Sequence, residues 1–157
     1  MPKRSAGLLL YRQKGGALQV LLVHPGGPFW AKKDAGVWSI PKGEYAESET
    51  PLAAARRECA EELGIAPQGP FTPLGEVRQA GGKIVTAFAV EQDFDPAALV
   101  SNTFELEWPP GSGRKASFPE IDRAQWFPLD EAAGRILPGQ RPFLTRLAQI
   151  LDDQGPD

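Results

Sequence analysis

Three glutamates that share one flank of a predicted helix are the residues of this sequence best suited to chemistry. At about 100° per residue, Glu58, Glu61 and Glu62 point to the same side of a helix predicted over residues 51–63. Carboxylates this close repel one another, whereas a bound divalent cation removes the repulsion and needs oxygen ligands. The alternative is a solvated acidic face that neighbouring arginines partly balance.

The helix is predicted from its two ends and from its apolar stripe. Thr50 offers a hydroxyl at the N-cap, Pro51 suits the first helical position, and Gly64 supplies the stop. Side chains within about 40° of one direction form a stripe that should face the core. They are Leu52, Ala55, Cys59 and Leu63.

Strands are predicted on both sides of this helix, and further helices follow it. The predicted strands are Ser5–Tyr11, Ala17–His24, Leu74–Gln79, Lys83–Glu91 and Ala124–Phe127, with a short extended piece at Val37–Ile40. The first four form two hairpins. The later helices are predicted over Leu129–Ile136 and Arg141–Leu151, and Asn102–Pro119 is expected to be a long loop or insertion. This order predicts one α/β domain over residues 1–151, whose sheet is sandwiched by helices, and a frayed tail over residues 152–157.

Composition excludes several classes of protein. The net charge of −3 argues against a nucleic-acid duplex or an anionic membrane as the main partner. One cysteine and one histidine leave no internal disulfide and no multi-histidine or cysteine-rich metal site, so an oxygen-rich site for magnesium or manganese remains. The apolar run Ala6–Tyr11 is too short to span a membrane, and no cleavage signal follows it. A cytoplasmic protein is expected.

The glutamates belong to a longer pattern with fixed spacing. It runs Gly43, five residues, Glu49, seven residues, Arg57-Glu58, Cys59, one residue, Glu61-Glu62, one residue, Gly64-Ile65. Seven fixed identities at about one in ten each would coincide by chance in roughly one in 10⁵ chains of this length. The pattern resembles the signature of the Nudix hydrolase family, with cysteine at a position where the family usually has an aliphatic residue. The resemblance implies the family's α/β/α sandwich with a mixed β-sheet.

The resemblance also implies which residues bind metal. Glu61 and Glu62 match the family's metal ligands, helped by a backbone carbonyl near Gly43. Glu58 matches a residue that either completes metal coordination or activates the attacking water. The cofactor implied is Mg²⁺, with Mn²⁺ as a substitute.

Two further matches imply supporting roles, and together the residues imply a reaction. Arg57 matches an arginine that orients a carboxylate, and Glu49 matches a support that pins the preceding loop to the helix. Metal ions neutralise phosphate oxygens and lower the pKa of bound water, and a carboxylate accepts the proton of that water. The expected reaction is hydrolysis of a phosphoanhydride in a nucleoside diphosphate-linked substrate by attack of water at phosphorus.

The residues before the pattern indicate a substrate class. Trp38-Ser39-Ile40-Pro41-Lys42-Gly43 resembles the Trp-x-x-Pro-Lys-Gly segment of members that cut dinucleoside polyphosphates or inositol pyrophosphates. Lys42 would then reach a phosphate oxygen. A proline typical of ADP-ribose-specific members would fall near Ala80 and is absent, and a tyrosine typical of dinucleoside polyphosphate hydrolases is absent near Gly81–Lys83. Diadenosine polyphosphates or nucleoside triphosphates are expected, and inositol pyrophosphates or nucleotide sugars are alternatives.

Other residues are candidates for the same site. Glu120 resembles an additional metal-ligating glutamate, with Glu105 and Glu107 as rivals. The candidate contacts to a phosphate chain are Arg78, Lys83 and His24, and the aromatic residues that could stack on a base are Phe29, Trp30 and Phe104. Each also has an ordinary structural explanation, as a surface charge or as packing.

Two functions of other classes compete with hydrolysis. Nudix folds are reused as non-catalytic nucleotide-binding or sensor domains, although such versions usually lose glutamates that this sequence keeps. An isomerase-type member would act on an isoprenoid diphosphate through cysteine chemistry, whereas Cys59 lies on the predicted core stripe. The oligomeric state, monomer or homodimer, is left open.

Overall fold

The computed structural model describes residues 3–153, in which eight strands and three helices follow one another along the chain. The strands are β1 Arg4–Lys14, β2 Ala17–Pro25, β3 Lys42–Glu44, β4 Thr72–Arg78, β5 Ile84–Glu91, β6 Thr103–Glu107, β7 Lys115–Pro119 and β8 Ile121–Pro128. The helices are α1 Pro51–Leu63, α2 Leu129–Arg135 and α3 Arg141–Asp153.

The main sheet is organised around β1, which pairs with three other strands. The strand order is β4-β5-β1-β2-β8, and β3 pairs with the beginning of β1. β1 runs parallel to β5 and antiparallel to β2 and β3, so the sheet is mixed. The run Ser5–Leu10 is buried along its whole length, as expected of a strand covered on both faces.

Alternate residues of the central strands face two separate apolar clusters. Leu8 and Leu10 of β1 pack with the buried stripe of α1, whereas Leu9 packs with α3 on the other face. The buried residues are Ala54, Ala55, Cys59 and Leu63 on α1, and Phe143, Leu144 and Leu147 on α3. Helices therefore cover both faces of a mixed sheet, and the predicted α/β/α fold is confirmed.

The central helix has the predicted bounds and the predicted ends. The Thr50 hydroxyl accepts a hydrogen bond from the backbone N–H of Ala53 at 3.2 Å, and Pro51 occupies the first turn. Gly64 has φ 75°, a left-handed conformation that a residue without Cβ adopts at little cost. Both predicted hairpins and both later helices are also present.

Three segments differ from the sequence-based expectation. The expected loop at Asn102–Pro119 is wrong, because β6 and β7 form an antiparallel hairpin there. Its alternation of apolar and polar residues is typical of a strand pair. The piece Val37–Ile40 makes only isolated bridges, and β3 was not predicted. Helix α3 continues to Asp153, while residues 154–157 of the predicted tail lie outside the described residues.

None of the helices formed within residues 3–153 combines the length and the apolar character that crossing a membrane requires.

The N-cap of α1 provides a test of the helix that carries the glutamates. We expect Thr50→Ala to lower the free energy of unfolding by about 1 kcal/mol, because one backbone N–H loses its partner. Thr50→Ser keeps the hydroxyl and serves as the control. Urea unfolding of both variants measures the difference, and equal stability of the two would contradict the cap.

Candidate active site

Arg57 lies at the centre of the acidic flank of α1. Its guanidinium donates two parallel hydrogen bonds to the Glu49 carboxylate, from Nε at 2.8 Å and from Nη2 at 2.9 Å. Nη1 donates to Glu58 Oε2 at 2.9 Å and to Glu61 Oε1 at 3.3 Å. One planar side chain thus joins the loop before the helix to two of its carboxylates, in the geometry that suits a guanidinium fork.

The electrostatics of this network favour the charged forms of its outer members. The hydrogen bonds from Arg57 hold the pKa of Glu49 below its usual range. The same hydrogen bonds, which the Glu49 carboxylate accepts, raise the pKa of Arg57 above its usual range, and the nearby charge of Glu58 adds to the shift. The Arg57–Glu49 pair therefore joins the loop ahead of α1 to the helix.

Gly43 lies where a side chain would collide with the helix. Pairing of Gly43 with Ala6 of β1 brings the short strand β3 beneath α1. A Cβ atom built on Gly43 would lie 1.6 Å from Glu58 Oε1. The position is therefore restricted to glycine by the close approach of the Glu58 carboxylate to the backbone.

Glu58 and Glu62 form the half-buried part of the acidic flank, whereas Glu61 is exposed. Burial and the neighbouring Glu61 raise the pKa of Glu58 to about 7, although Arg57 partly opposes the shift. Burial, Glu58 and Glu120 raise the pKa of Glu62 to about 8, and Lys42 partly offsets them. Carboxylates crowded in this way gain most from a cation that approaches them.

A cavity of about 440 Å³ opens beside these glutamates. Its charged side chains are Lys42, Glu62 and Glu120, and this size is within the range of small-molecule binding sites. The apolar lining comes from the β2 end, the segment after it and the turn before α3. These residues are Val23, Pro25, Trp30, Val37, Ile40 and Leu137, together with Ile121 at the beginning of β8, and the polar residue Ser39 lies beside them.

Lys42 carries the positive charge of the cavity. Burial lowers its pKa, and so does Lys83 nearby, while Glu62, Glu44 and Glu58 oppose the shift. The Lys42 backbone amide also lies close enough to the Glu62 carboxylate to lower its pKa. Lys42 therefore brings both its ammonium and its amide to the acidic flank.

Four of the predicted site residues line this cavity, and several others do not. Lys42, Trp30, Glu62 and Glu120 share it. Glu105 and Glu107, the rivals of Glu120, lie on strand β6 and are absent from its lining. The remaining predicted contacts outside the lining are His24, Phe29, Phe104, Arg78 and Lys83.

His24 lies in the protein interior and is not exposed to a ligand. The side chain is fully buried, and its Nδ1 lies 2.8 Å from Asp122 Oδ1. Its Nε2 lies 2.6 Å from the carbonyl oxygen of Lys33. Both ring nitrogens are engaged within the protein, so the predicted donation to a phosphate is wrong for this conformation.

The other predicted contacts have protein partners of their own. Phe104 packs against Gly27 and Phe118, instead of facing the cavity. Arg78 donates to the carbonyl of Gly82 at 3.4 Å, and Lys83 lies 3.9 Å from Glu44. Lys83 stays close enough to Lys42 to affect its charge.

The apolar lining was missed because it comes from distant segments. Leu137 joins the site through hydrogen bonding of its backbone N–H to the carbonyl of Trp38 at 2.8 Å. Asp34 accepts from Trp38 Nε1 at 2.8 Å and pairs with Arg135, which fixes the loop that carries Trp30. No local pattern in the sequence marks these pairings.

The donor set fits a hard divalent cation. All the candidate ligands are oxygens, from Glu58, Glu61, Glu62 and Glu120, and such ligands favour magnesium and manganese. Among residues 3–153, no three acidic, histidine or cysteine side chains stand ready around one point as a metal-binding group. Arg57 donates to Glu58 and Glu61, and each carboxylate has enough lone pairs to accept these hydrogen bonds and also to bind a cation.

Comparison with known proteins identifies the family. Residues 1–147 match the NUDIX domain family. A nucleoside triphosphate pyrophosphatase/Nudix hydrolase fusion protein of Bifidobacterium longum is 31% identical over 155 residues, which are 95% of this chain and 28% of that protein. The chain therefore spans under a third of the length of this relative.

Solved structures share the fold. The Nudix hydrolase RenU of M. smegmatis is similar with a TM-score of 0.58 and 28% identity, covering 98% of this chain and 88% of that one. An Ap4A hydrolase of C. elegans is similar with a TM-score of 0.62 and 21% identity, covering 96% of this chain and 98% of that one.

The chain belongs to the Nudix family, as its glutamate pattern predicted. Hydrolases of this family generally use divalent metal ions.

The contact between Gly43 and Glu58 generates a prediction about activity. We expect Gly43→Ala to lower kcat/KM at least about 100-fold, because the new methyl group displaces the Glu58 carboxylate. Gly134→Ala is the matched control, since nothing lies within 4 Å of its built Cβ. That control should keep full activity and gain up to about 1 kcal/mol of stability as a helix residue. Equal activity of the two variants would contradict the packing argument.

Proposed function

We propose that this protein is a Mg²⁺-dependent hydrolase that cleaves a phosphoanhydride bond in nucleoside triphosphates or dinucleoside polyphosphates. The observation that carries the proposal is the composition of one cavity. Glu62 and Glu120 line it together with Lys42, and an apolar wall that includes Trp30 completes it. Carboxylates for a metal, an ammonium for phosphate and a surface for a base are the groups that such a substrate requires.

The proposed metal ligands are the carboxylates of Glu58, Glu61 and Glu62, with Glu120 and the carbonyl near Gly43 as additional oxygens. Repulsion among these carboxylates supports the assignment, because the charges of Glu58 and Glu120 both raise the pKa of Glu62. When bound, a divalent cation neutralises phosphate oxygens and makes bound water more acidic. Mn²⁺ should substitute, since it accepts the same oxygen ligands.

The chain's own residues supply the remaining parts of the reaction. A water oxygen forms the new bond to phosphorus while the anhydride P–O bond breaks and the leaving phosphate takes the electron pair. We assign acceptance of the water proton to the Glu58 carboxylate. Arg57 orients that carboxylate through its 2.9 Å hydrogen bond, and Glu49 orients Arg57 in turn. Lys42 stabilises the negative charge on the phosphate chain.

The cavity favours a nucleotide over an inositol pyrophosphate. An inositol pyrophosphate carries phosphates around the whole ring, so its site needs many cations. Among the cavity residues that the structure describes, Lys42 alone has a cationic side chain, and most others are apolar. A substrate with one charged end and one aromatic end suits this lining better.

Loss of one proposed ligand tests the reaction and its metal together. In a panel of nucleoside triphosphates, dinucleoside polyphosphates, ADP-ribose and inositol pyrophosphates with Mg²⁺, we expect turnover of the first two classes. Glu62→Gln should lower kcat at least about 100-fold and weaken Mn²⁺ binding measured by electron paramagnetic resonance. Glu131→Gln changes an exposed glutamate on α2 and should behave as wild type. Full turnover by Glu62→Gln would refute the metal assignment, and no turnover of any compound by wild type would refute the hydrolase proposal.

The cationic group of the cavity is tested separately. Lys42→Met should raise KM for the preferred substrate about tenfold or more, because a charge-assisted contact to phosphate is lost. Lys14→Met, an exposed change near the turn between β1 and β2, is the control. An unchanged KM for Lys42→Met, measured in steady-state kinetics, would exclude the phosphate contact.

A further inference from the structure

One wall of the cavity is formed by apolar side chains. Seven residues form it: Val23, Pro25, Trp30, Val37, Ile40, Ile121 and Leu137. Each carries a hydrocarbon or aromatic side chain, so none except the indole of Trp30 has a polar side-chain group. The charged residues Lys42, Glu62 and Glu120 account for the other chemistry of the cavity.

Several hydrogen-bonding groups behind this wall are engaged within the protein. The backbone of Val23 and that of Ser39 pair in both directions, at 2.8 Å and 3.0 Å. The Ser39 hydroxyl donates to the carbonyl of Ile40 at 2.7 Å. The backbone N–H of Leu137 donates to the carbonyl of Trp38. These groups are therefore not free to bind the polar edge of a ligand.

The side-chain amide of Gln140 is also hydrogen-bonded within the protein. Gln140 is fully buried, and its Oε1 accepts the backbone N–H of Ile40 at 3.1 Å. Its Nε2 donates to Ser39 Oγ at 3.0 Å and to Gln79 Oε1 at 2.7 Å. Both ends of the amide are satisfied by protein, so Gln140 holds the wall in place without presenting a polar atom to the cavity.

Trp30 contributes the large flat surface of the wall. Its side chain stays 40% exposed although it lines the cavity, and the Lys33 ammonium lies 5.1 Å from its ring. The neighbouring Phe29 packs edge to face against Trp108 of the β6–β7 hairpin at 5.4 Å. The hairpin thus supports the loop that presents an indole ring to a ligand.

We propose that this wall binds the nucleobase by stacking and apolar contact without reading its edge, so that the enzyme accepts purine and pyrimidine nucleotides alike. This inference rests on the proposed function, because it assumes a nucleotide substrate. Stacking on an aromatic side chain tolerates any base, since every base has a π-face. Strong selection among bases instead needs site groups that lose a hydrogen bond with the wrong base. Selectivity should therefore come from the phosphate chain, at Lys42 and the glutamates.

The experiment compares kcat/KM for ATP, GTP, CTP and UTP, and for inorganic triphosphate, which has no base. Wild type should use the four nucleotides within about tenfold of one another and inorganic triphosphate much more poorly. Trp30→Ala should lower kcat/KM for all four nucleotides by a similar factor of about tenfold, mainly through KM. Trp30→Phe keeps an aromatic face and should restore most of the loss.

One variant serves as the control, and three results would contradict the inference about the base. Val100→Ala changes an apolar residue that is 70% exposed and absent from the cavity lining, so its rates should match wild type. Three results would each overturn this inference and leave the hydrolase proposal unaffected. They are a preference above about 100-fold for one base, a loss in Trp30→Ala that is confined to one base, and equal use of inorganic triphosphate and ATP. Failure of wild type to hydrolyse any nucleotide would overturn both.

Discussion

The carboxylates on α1 repel one another, and the rest of the site is arranged to offset that repulsion. Glu58 and Glu62 are partly buried against β3, where their negative charges are least tolerated. Arg57 opposes part of that repulsion with a guanidinium fork, and Glu49 holds the fork. The glycine below gives the Glu58 carboxylate room that any side chain would remove. Loop, helix and short strand are thereby joined by electrostatics as much as by packing.

The scaffold explains why these residues meet. The apolar stripe of α1 packs on one face of β1, and β3 pairs with the beginning of the same strand. Both sides of the acidic flank therefore depend on one buried strand. Glu120 reaches the site from elsewhere, at the junction of the β6–β7 hairpin with β8, where its carbonyl accepts the N–H of Gly26 at 2.8 Å. The acidic flank is thus built on the core strands and α1, whereas the cavity lining combines strand ends with loops.

This division also separates what the sequence could predict from what it could not. Helix α1, its caps and its carboxylate flank follow from local rules, because Thr50, Pro51 and Gly64 act on their immediate neighbours. The cavity wall depends on pairings between remote segments, such as that of Trp38 with Leu137, which leave no local pattern. His24 was misassigned because a strand-end histidine looks exposed in sequence, whereas Asp122 and Lys33 enclose it. The β6–β7 hairpin carried a period-two pattern but few β-branched residues, so its strands were overlooked.

The central position of β1 has a consequence for how the chain folds. Its antiparallel partner β2 follows directly, but its parallel partner β5 comes much later, so that Arg4 pairs with Ile84, 80 positions further along the chain. Parallel pairing over such a separation closes a large loop before it gains contacts, and loop closure of this kind slows folding. During synthesis, the β1–β2 hairpin emerges with apolar residues on both faces and an unpaired edge long before β5 leaves the ribosome. We therefore expect the nascent chain to depend on chaperones that shield this hairpin, and its yield on refolding to fall as protein concentration rises.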